Sequence, residues 1–378
     1  MSKYDNFDVS YVTIDSLSEG VGSSQITPLI TRLSRSDLKV NLISYEKSTP
    51  SIQLQDYFNS IGVEWNARPF GANGLIGGVA RLNDLRREIP NTNIIHARSD
   101  IPTVSAIASK RAPVLWDVRS LWADQKVMIQ DDILTKILHR SYRQLESIAA
   151  IRSLGMSTLT SAIVPILEQR NSKLPSLRTV VPTAVDLDRF KLSPIMPRKV
   201  QALFSGTYND YYDLDLSGLF LEEVRKQIAV ETHWARPAES NKTGIGVGES
   251  KIFPASQTRM ADLISSYSFG VSICKLKAGP SLAAAMPTKI GEFLACGRPI
   301  VVNKGLGDMD QFIEEFNAGV ILDGSPNNLV ESAIKLVNII ADSNTPSRCR
   351  ALAEKYFSMD TGAKKYLDLY SQMLCQRD

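Results

Sequence analysis

Lys289 and Glu292 sit three residues apart, just behind Pro287, in the stretch PTKIGEFLACGRPIVVNKGLGD that fills residues 287–308. The stretch reads as a short helix, a break, a buried strand and a glycine-rich loop. Proline is tolerated at a helix start because its missing N–H would have no intrahelical partner. Gly297 and Pro299 end the helix, by a left-handed cap and a residue that cannot continue it. Ile290, Phe293 and Leu294 form the buried stripe, and Lys289, Glu292 and Cys296 lie on the other side. Exposed N–H groups, the helix dipole and the Lys289 ammonium all favour an anion such as phosphate. One turn on, Glu292 can accept hydrogen bonds from two vicinal hydroxyls, as a ribose offers. A nucleotide diphosphate lying across one helix start would fit both. Taken alone, the two residues read first as an ordinary surface Lys–Glu pair.

Two more polar clusters stand in the first half. His96 and Arg98 stand at the end of a strand over 93–97, and Asp117 and Arg119 at the end of one over 113–118. Both clusters fall at the C-terminal end of a predicted parallel strand, the edge where open α/β sheets bind ligands. His96 is either a functional group or a buried histidine satisfied by one backbone bond. Asp117 and Arg119 point to one side of their strand. They form either a structural ion pair or, through the planar guanidinium, a carboxylate- or phosphate-reading site.

The elements that must carry these groups repeat twice. Strands over 7–14 and 40–44, an extended piece over 63–67, and the strands ending at 97 and 118 alternate with helical patterns. Residues 20–25 form the first turn. Gly20 and Gly22 do not complete G-x-G-x-x-G, because Gln25 takes the last glycine position, so the dinucleotide fingerprint is absent. Residues 70–78 carry four glycines and read as a loop, mobile or in close contact with something. A long helix over 133–150 has an apolar side and a basic one, either a solvated face or one that touches a membrane. Three prolines over 181–199 mark a linker. The pattern then restarts with a strand over 200–205, a Gly206-Thr207-Tyr208 turn, a helix over 219–229 and a strand through 232. Strands over 251–253, 270–274 and 300–303 follow, then helices over 347–356 and 362–373. This predicts an α/β chain of two doubly wound domains: 1–185, a linker 186–199, and 200–350. The helices of 351–378 would pack at least partly back on the first domain.

Composition narrows the function classes. At 378 residues, two domains are the natural division, and 43% hydrophobic with 22% charged residues is ordinary for a globular chain. The net charge of +3 is too small, and too little clustered with aromatics, for a nucleic-acid surface. Four cysteines and three histidines show no metal-ligand spacing. With no signal-like start and no apolar run of membrane-spanning length, a reducing, cytoplasmic setting is expected.

Five segments, in order, resemble the retaining nucleotide-sugar glycosyltransferases of family 4, over nearly the whole chain. They are Ser24-Gln25, Ser44-Tyr45-Glu46-Lys47, WDVRSLWADQ at 116–125, the PxxVDLxxF-like 182–190, and 287–308 itself. The resemblance is greatest to a bacterial branch of glycan or glycoconjugate biosynthesis. It implies the GT-B fold, two Rossmann-like domains facing across a cleft. It implies transfer from a nucleotide diphosphate sugar, such as a UDP-sugar, to an acceptor hydroxyl with retention of configuration. The acceptor class is a glycan, a glycolipid or a small molecule.

By this resemblance the donor side would comprise Gly22, Ser24, Gln25, Gly206, Tyr208, Thr288, Lys289, Glu292, Gly307 and Asp308. The catalytic set would be His96, Asp117, Arg119 and Lys289, with Arg98, Trp122 and Asp124 on the acceptor side. No metal or other cofactor is expected, since fixed cations would neutralise the leaving diphosphate. Peripheral contact with the inner face of a membrane is compatible with the basic helix. One departure stands out: the family often carries a second glutamate eight residues before the first, where this chain has Ala284. That residue keeps two alternatives open, a GT-B sugar-nucleotide epimerase and a catalytically silent sugar-nucleotide-binding protein.

Overall fold

The computed structural model describes residues 7–129, 133–206, 210–236, 251–254 and 259–376. Two compact units divide the chain: Met1–Pro182 with Met359–Asp378, and Thr183–Ser358. The chain passes into the second unit at Thr183, so residues 186–199 belong to that unit, and it returns at Met359.

The first unit is built on seven parallel strands. They are β1 (Phe7–Val12), β2 (Val40–Glu46), β3 (Glu64–Pro69), β4 (Thr92–Arg98), β5 (Val114–Val118), β6 (Gly155–Thr158) and β7 (Leu177–Val180). Their order is β3-β2-β1-β4-β5-β6-β7. Strand β2 is buried along its whole length, as expected of a strand covered on both faces. Val12, Ile43, Leu85, Ile95 and Ala106 lie in one core layer. The order reverses between β1 and β4, where Tyr11 pairs with His96. The C-terminal helix Met359–Cys375 buries Tyr366, Leu369, Tyr370 and Met373 in this unit, so the expected return to the first domain is present.

The second unit holds six parallel strands: β8 (Gln201–Ser205), β9 (Glu231–Arg236), β10 (Lys251–Pro254), β11 (Phe269–Ser272), β12 (Ile300–Asn303) and β13 (Gly319–Leu322). Their order is β10-β9-β8-β11-β12-β13, with the reversal between β8 and β11. Phe204, Phe220, Leu221, Trp234, Val271, Val301 and Leu336 share its core. Each unit is thus a Rossmann-like α/β sheet with its own switch point, the crevice at which such sheets bind ligands.

Several elements differ from the sequence reading. The glycine stretch at 70–78 is not a free loop, because the helix Gly74–Glu88 starts inside it. The close contact is with the chain's own next turn: Arg81 donates to the Phe70 and Ala72 carbonyls at 2.7 and 2.9 Å and stacks on the Phe70 ring. Strand β13 and the helix Pro326–Ala341 were not anticipated. The helix expected at 219–229 begins earlier, at Leu214, because the Asp213 side chain caps it by accepting from the Leu216 N–H. Cys296, expected on the polar side of its helix, is buried, and its thiol donates to the Ala261 carbonyl. Among the described residues no helix is long and apolar enough to cross a membrane.

Candidate active site

The helix Thr288–Ala295 starts as the sequence implies. Pro287 is its N-cap, no side chain caps the start, and Ile290, Phe293 and Leu294 are buried. Its first N–H groups therefore keep their capacity for an anion. Lys289 reaches from this start to the switch point of the second sheet. A Cβ on Gly206 would stand 3.8 Å from its Nζ, which lies 4.1 Å above the centre of the Tyr212 ring. Among the described residues Lys289 forms no ion pair. Gly206 follows β8 with φ of +90°, a conformation that favours glycine. It is held on both sides: its N–H donates to Ala235 at 2.9 Å and its carbonyl accepts from the Trp234 indole at 3.1 Å. Phe204, Gly206, Tyr212, Trp234, Ile273 and Lys289 line a shallow hollow. The arrangement leaves the Lys289 ammonium beside Gly206, which carries no side chain.

Glu292 lies one turn further along the same helix and is partly buried. Burial pushes its carboxyl up to about 7, against the lowering pull of Arg189 and Lys289. Among the described residues its carboxylate takes no hydrogen bond. A partly buried carboxylate that meets no donor among the described residues keeps its acceptor sites open to a ligand that donates to it.

The other donor-side residues fall differently. The Gly307 N–H is spent on the Leu282 carbonyl at 3.1 Å, and the neighbouring Gly305 N–H is held by the Asp310 carboxylate. Asp308 is the N-cap residue of the helix Met309–Phe316. Tyr208 lies outside the described residues. Thr288 opens the Lys289 helix. Ala284 is buried at the end of the short helix Pro280–Ala283. Asn303, which the sequence reading passed over, is buried at the end of β12, and its side-chain oxygen accepts from the Cys274 N–H at 2.7 Å. It thereby joins the ends of β11 and β12 beside the Lys289 crevice.

In the first unit the predicted polar residues meet at one point. Asp117 is fully buried and accepts from Ser157 at 2.8 Å and Tyr366 at 3.1 Å; Arg119 stands at 3.4 Å, His96 Nε2 at 3.4 Å and Arg98 at 3.7 Å. Burial alone would raise its carboxyl, but Arg119, His96 and Arg98 outweigh that and hold it well below the usual carboxylate range. His96 is also fully buried. Its Nδ1 is 2.6 Å from the Tyr370 hydroxyl and its ring packs against Tyr11 and Tyr366. Burial lowers its pKa despite Asp117, so the neutral imidazole is favoured. In this structure His96 therefore meets protein groups on all the sides described, and its partners are side chains, where the plainer reading expected one backbone bond. Arg98 donates to Asp15 at 2.9 Å.

Trp122 is half exposed and meets the Tyr142 ring edge-on. Asp124 accepts both arms of Arg170, each at 2.9 Å, with His139 at 3.8 Å, so its carboxylate ties two helices together. Gly22 starts a single wide turn, Gly22–Ile26, that leads into the helix Thr27–Ser34. A Cβ on Gly22 would overlap the Ser16 carbonyl, so this glycine permits a close backbone contact. The Ser24 hydroxyl donates to the Gly20 carbonyl at 2.9 Å, and Gln25 is buried.

No protein-family model matches the sequence, and no curated protein does either. Solved structures do match, along almost the whole chain. Sucrose-phosphate synthase from Thermosynechococcus elongatus superposes with a TM-score of 0.70 at 12% identity, covering 98% of this chain and 100% of that one. HepE of Anabaena, solved with UDP and glucose, gives a TM-score of 0.65 at 14% identity, covering 97% and 100%. TarM of S. aureus, solved with fondaparinux, alpha-GlcNAc-glycerol and UDP, gives 0.68 at 10% identity, covering 96% and 99%. At such identities the likeness speaks to architecture, and function must be argued from the site. The architecture is the GT-B fold.

Proposed function

We propose that this chain is a glycosyltransferase that draws a sugar from a nucleotide diphosphate sugar and passes it to an acceptor hydroxyl. The observation that carries the reading is the Lys289 ammonium, without an ion pair among the described residues, at an uncapped helix start beside bare Gly206. Glu292, with open acceptor sites one turn on, suits the ribose of the same ligand. HepE and TarM were solved with UDP, which supports a uridine nucleotide as the first donor to try.

In this reading Lys289 and the helix N-terminus stabilise charge that develops on the leaving diphosphate, which is transition-state stabilisation of the kind that dominates such reactions. These fixed cations take the part a metal would otherwise play. Retention would follow from a front-face displacement in which the leaving phosphate helps deprotonate the acceptor, as the family 4 resemblance implies. Asp117, held ionised, keeps Arg119 and Arg98 in place at the switch point of the first sheet. His96 Nε2 stands 3.4 Å from the same carboxylate.

The acceptor side has a candidate membrane face. Within the helix Ile133–Arg152, Lys136, Ile137, Arg140, Ile148, Ile151 and Arg152 are exposed and fall on one outward stripe; none is acidic, and Ile137 is 55% exposed. Cations beside exposed aliphatics suit an anionic lipid surface.

The test is an assay of the full chain against a panel of nucleotide diphosphate sugars. Slow release of nucleoside diphosphate, faster with acceptor and with the product anomer matching the donor, supports the proposal. A new sugar isomer would identify an epimerase, and binding without turnover a silent sugar-nucleotide-binding protein.

A further inference from the structure

The segment Ser44-Tyr45-Glu46-Lys47 has no part in the nucleotide site, yet its carboxylate has unusual surroundings. Glu46 ends β2 and is buried at 4% exposure. Among the described residues no cation pairs with it. Five donors satisfy it instead. Oε1 accepts from the Leu17 N–H at 2.9 Å and the Ser44 hydroxyl at 2.6 Å. Oε2 accepts from the Ser16 hydroxyl at 2.6 Å, the Ser18 hydroxyl at 3.0 Å and, more weakly, the Ser18 N–H at 3.4 Å. Four of these five donors belong to the loop that leaves β1. A buried carboxylate is tolerated only when its acceptor sites are filled, so carboxylate and loop fix each other.

The neighbours of Glu46 strengthen the same clamp. Ser44 accepts from the Trp65 indole at 2.8 Å, which orients its hydroxyl toward Glu46. Lys47 pairs with Glu19 on the loop's outer side at 2.7 Å. The loop backbone at Ser16 is in turn the surface on which Gly22 packs without a side chain. The chain from Ser16 to the Gly22–Ile26 turn is thus referenced to one carboxylate. It stands at the C-terminal edge of β1, beside the β1/β4 switch point, where open α/β sheets take their ligands.

We infer that Glu46 is a positioning residue for the transfer reaction: it sets the β1 loop, and through it Gly22, Ser24 and Gln25, in the geometry that turnover requires. This rests on the glycosyltransferase reading. Its own test separates loop placement from nucleotide binding, which belongs to the other unit. Glu46→Gln keeps the size but replaces one acceptor oxygen by a donor that must face hydroxyls and the Ser18 N–H. Misplacement of a positioning group by about an ångström costs on the order of 10²-fold in rate.

The expected result for the full chain is a kcat lowered about 10²-fold, with affinity for UDP within twofold of wild type. Ser16→Ala/Ser18→Ala removes two of the five bonds from the loop side and covers the case in which Glu46→Gln fails to fold; its kcat falls in the same direction, with UDP affinity again retained. A kcat within twofold of wild type in the folded variants overturns the inference. So does a loss of UDP affinity as large as the loss of kcat. Should wild type transfer no sugar at all, the glycosyltransferase reading fails, and amide exchange still tests the clamp. The Leu17 and Ser18 amides exchange faster in Glu46→Gln if the carboxylate holds the loop, and unchanged protection refutes it.

Discussion

A carboxylate that burial pushes up to about 7 makes the proposed donor site sensitive to pH. Glu292 is pushed up to about 7 in the free protein, so its ionised form costs the fold stability. That cost is fully present above about pH 7 and is relieved as pH falls toward the unfolded value near 4.5, so this group makes the free protein more stable on mild acidification. Ribose hydroxyls donate to the ionised form, so nucleotide affinity changes in the opposite sense and weakens below pH 7. Glu292→Gln should flatten that dependence and weaken UDP binding by about 10-fold, one charge-assisted hydrogen bond; titration calorimetry across pH 5.5–8.5 checks it, and an unchanged profile would remove Glu292 from the site. The helix that carries Lys289 and Glu292 was legible in the sequence because helix start, stripe and cap are all local signals. The surroundings of His96 and Asp117 were not: their tyrosine partners lie 274 and 249 residues further along the chain. Spacing within one strand reveals an Asp117–Arg119 pair but not the helix that encloses it. Glu46 was visible only as part of a motif, because its partners are loop donors that no periodicity marks.

Among the elements, strands were easier to locate than helices that begin at glycines. The branched aliphatic run of β12 identifies itself, whereas Gly74, Gly77 and Gly78 hide a helix start that Arg81 secures through the Phe70 and Ala72 carbonyls. The short β13, only four residues long, was missed because it carries a glycine and no alternation, being buried on both faces. The basic helix Ile133–Arg152 presents the converse case, since its pattern was plain but its outward face needed the structure. Cosedimentation should find the protein on vesicles containing phosphatidylglycerol and not on neutral ones, with binding lost above about 0.5 M salt. Arg140→Glu with Ile137→Ser should reduce bound protein several-fold; undiminished binding would place the contact elsewhere.

At the scale of the whole molecule, the chain's last helix is part of the first unit's interior. Tyr370 and Tyr366 reach His96 and Asp117 from Met359–Cys375, and Met373 fills space against Gly155. Tyr370→Phe leaves His96 Nδ1 without its partner and should lower stability by about 1 kcal/mol, read as a shift in denaturant midpoint. Removing residues 359–378 uncovers the buried charges altogether and should abolish cooperative unfolding of the first unit. The two-sheet plan followed from the doubled alternation of strands and helices, and the return of the chain from the spacing of its last apolar residues. The enclosure of Ala284 was beyond the sequence, since it depends on how the Pro280–Ala283 turn is covered. The central claim is that Lys289 marks the diphosphate of a nucleotide-sugar donor, and UDP binding to wild type and Lys289→Ala by calorimetry tests it most directly. The account predicts measurable affinity in wild type and at least a 10-fold loss in a variant that keeps its thermal midpoint. Equal affinity in the two proteins, or no UDP binding by wild type, would contradict it.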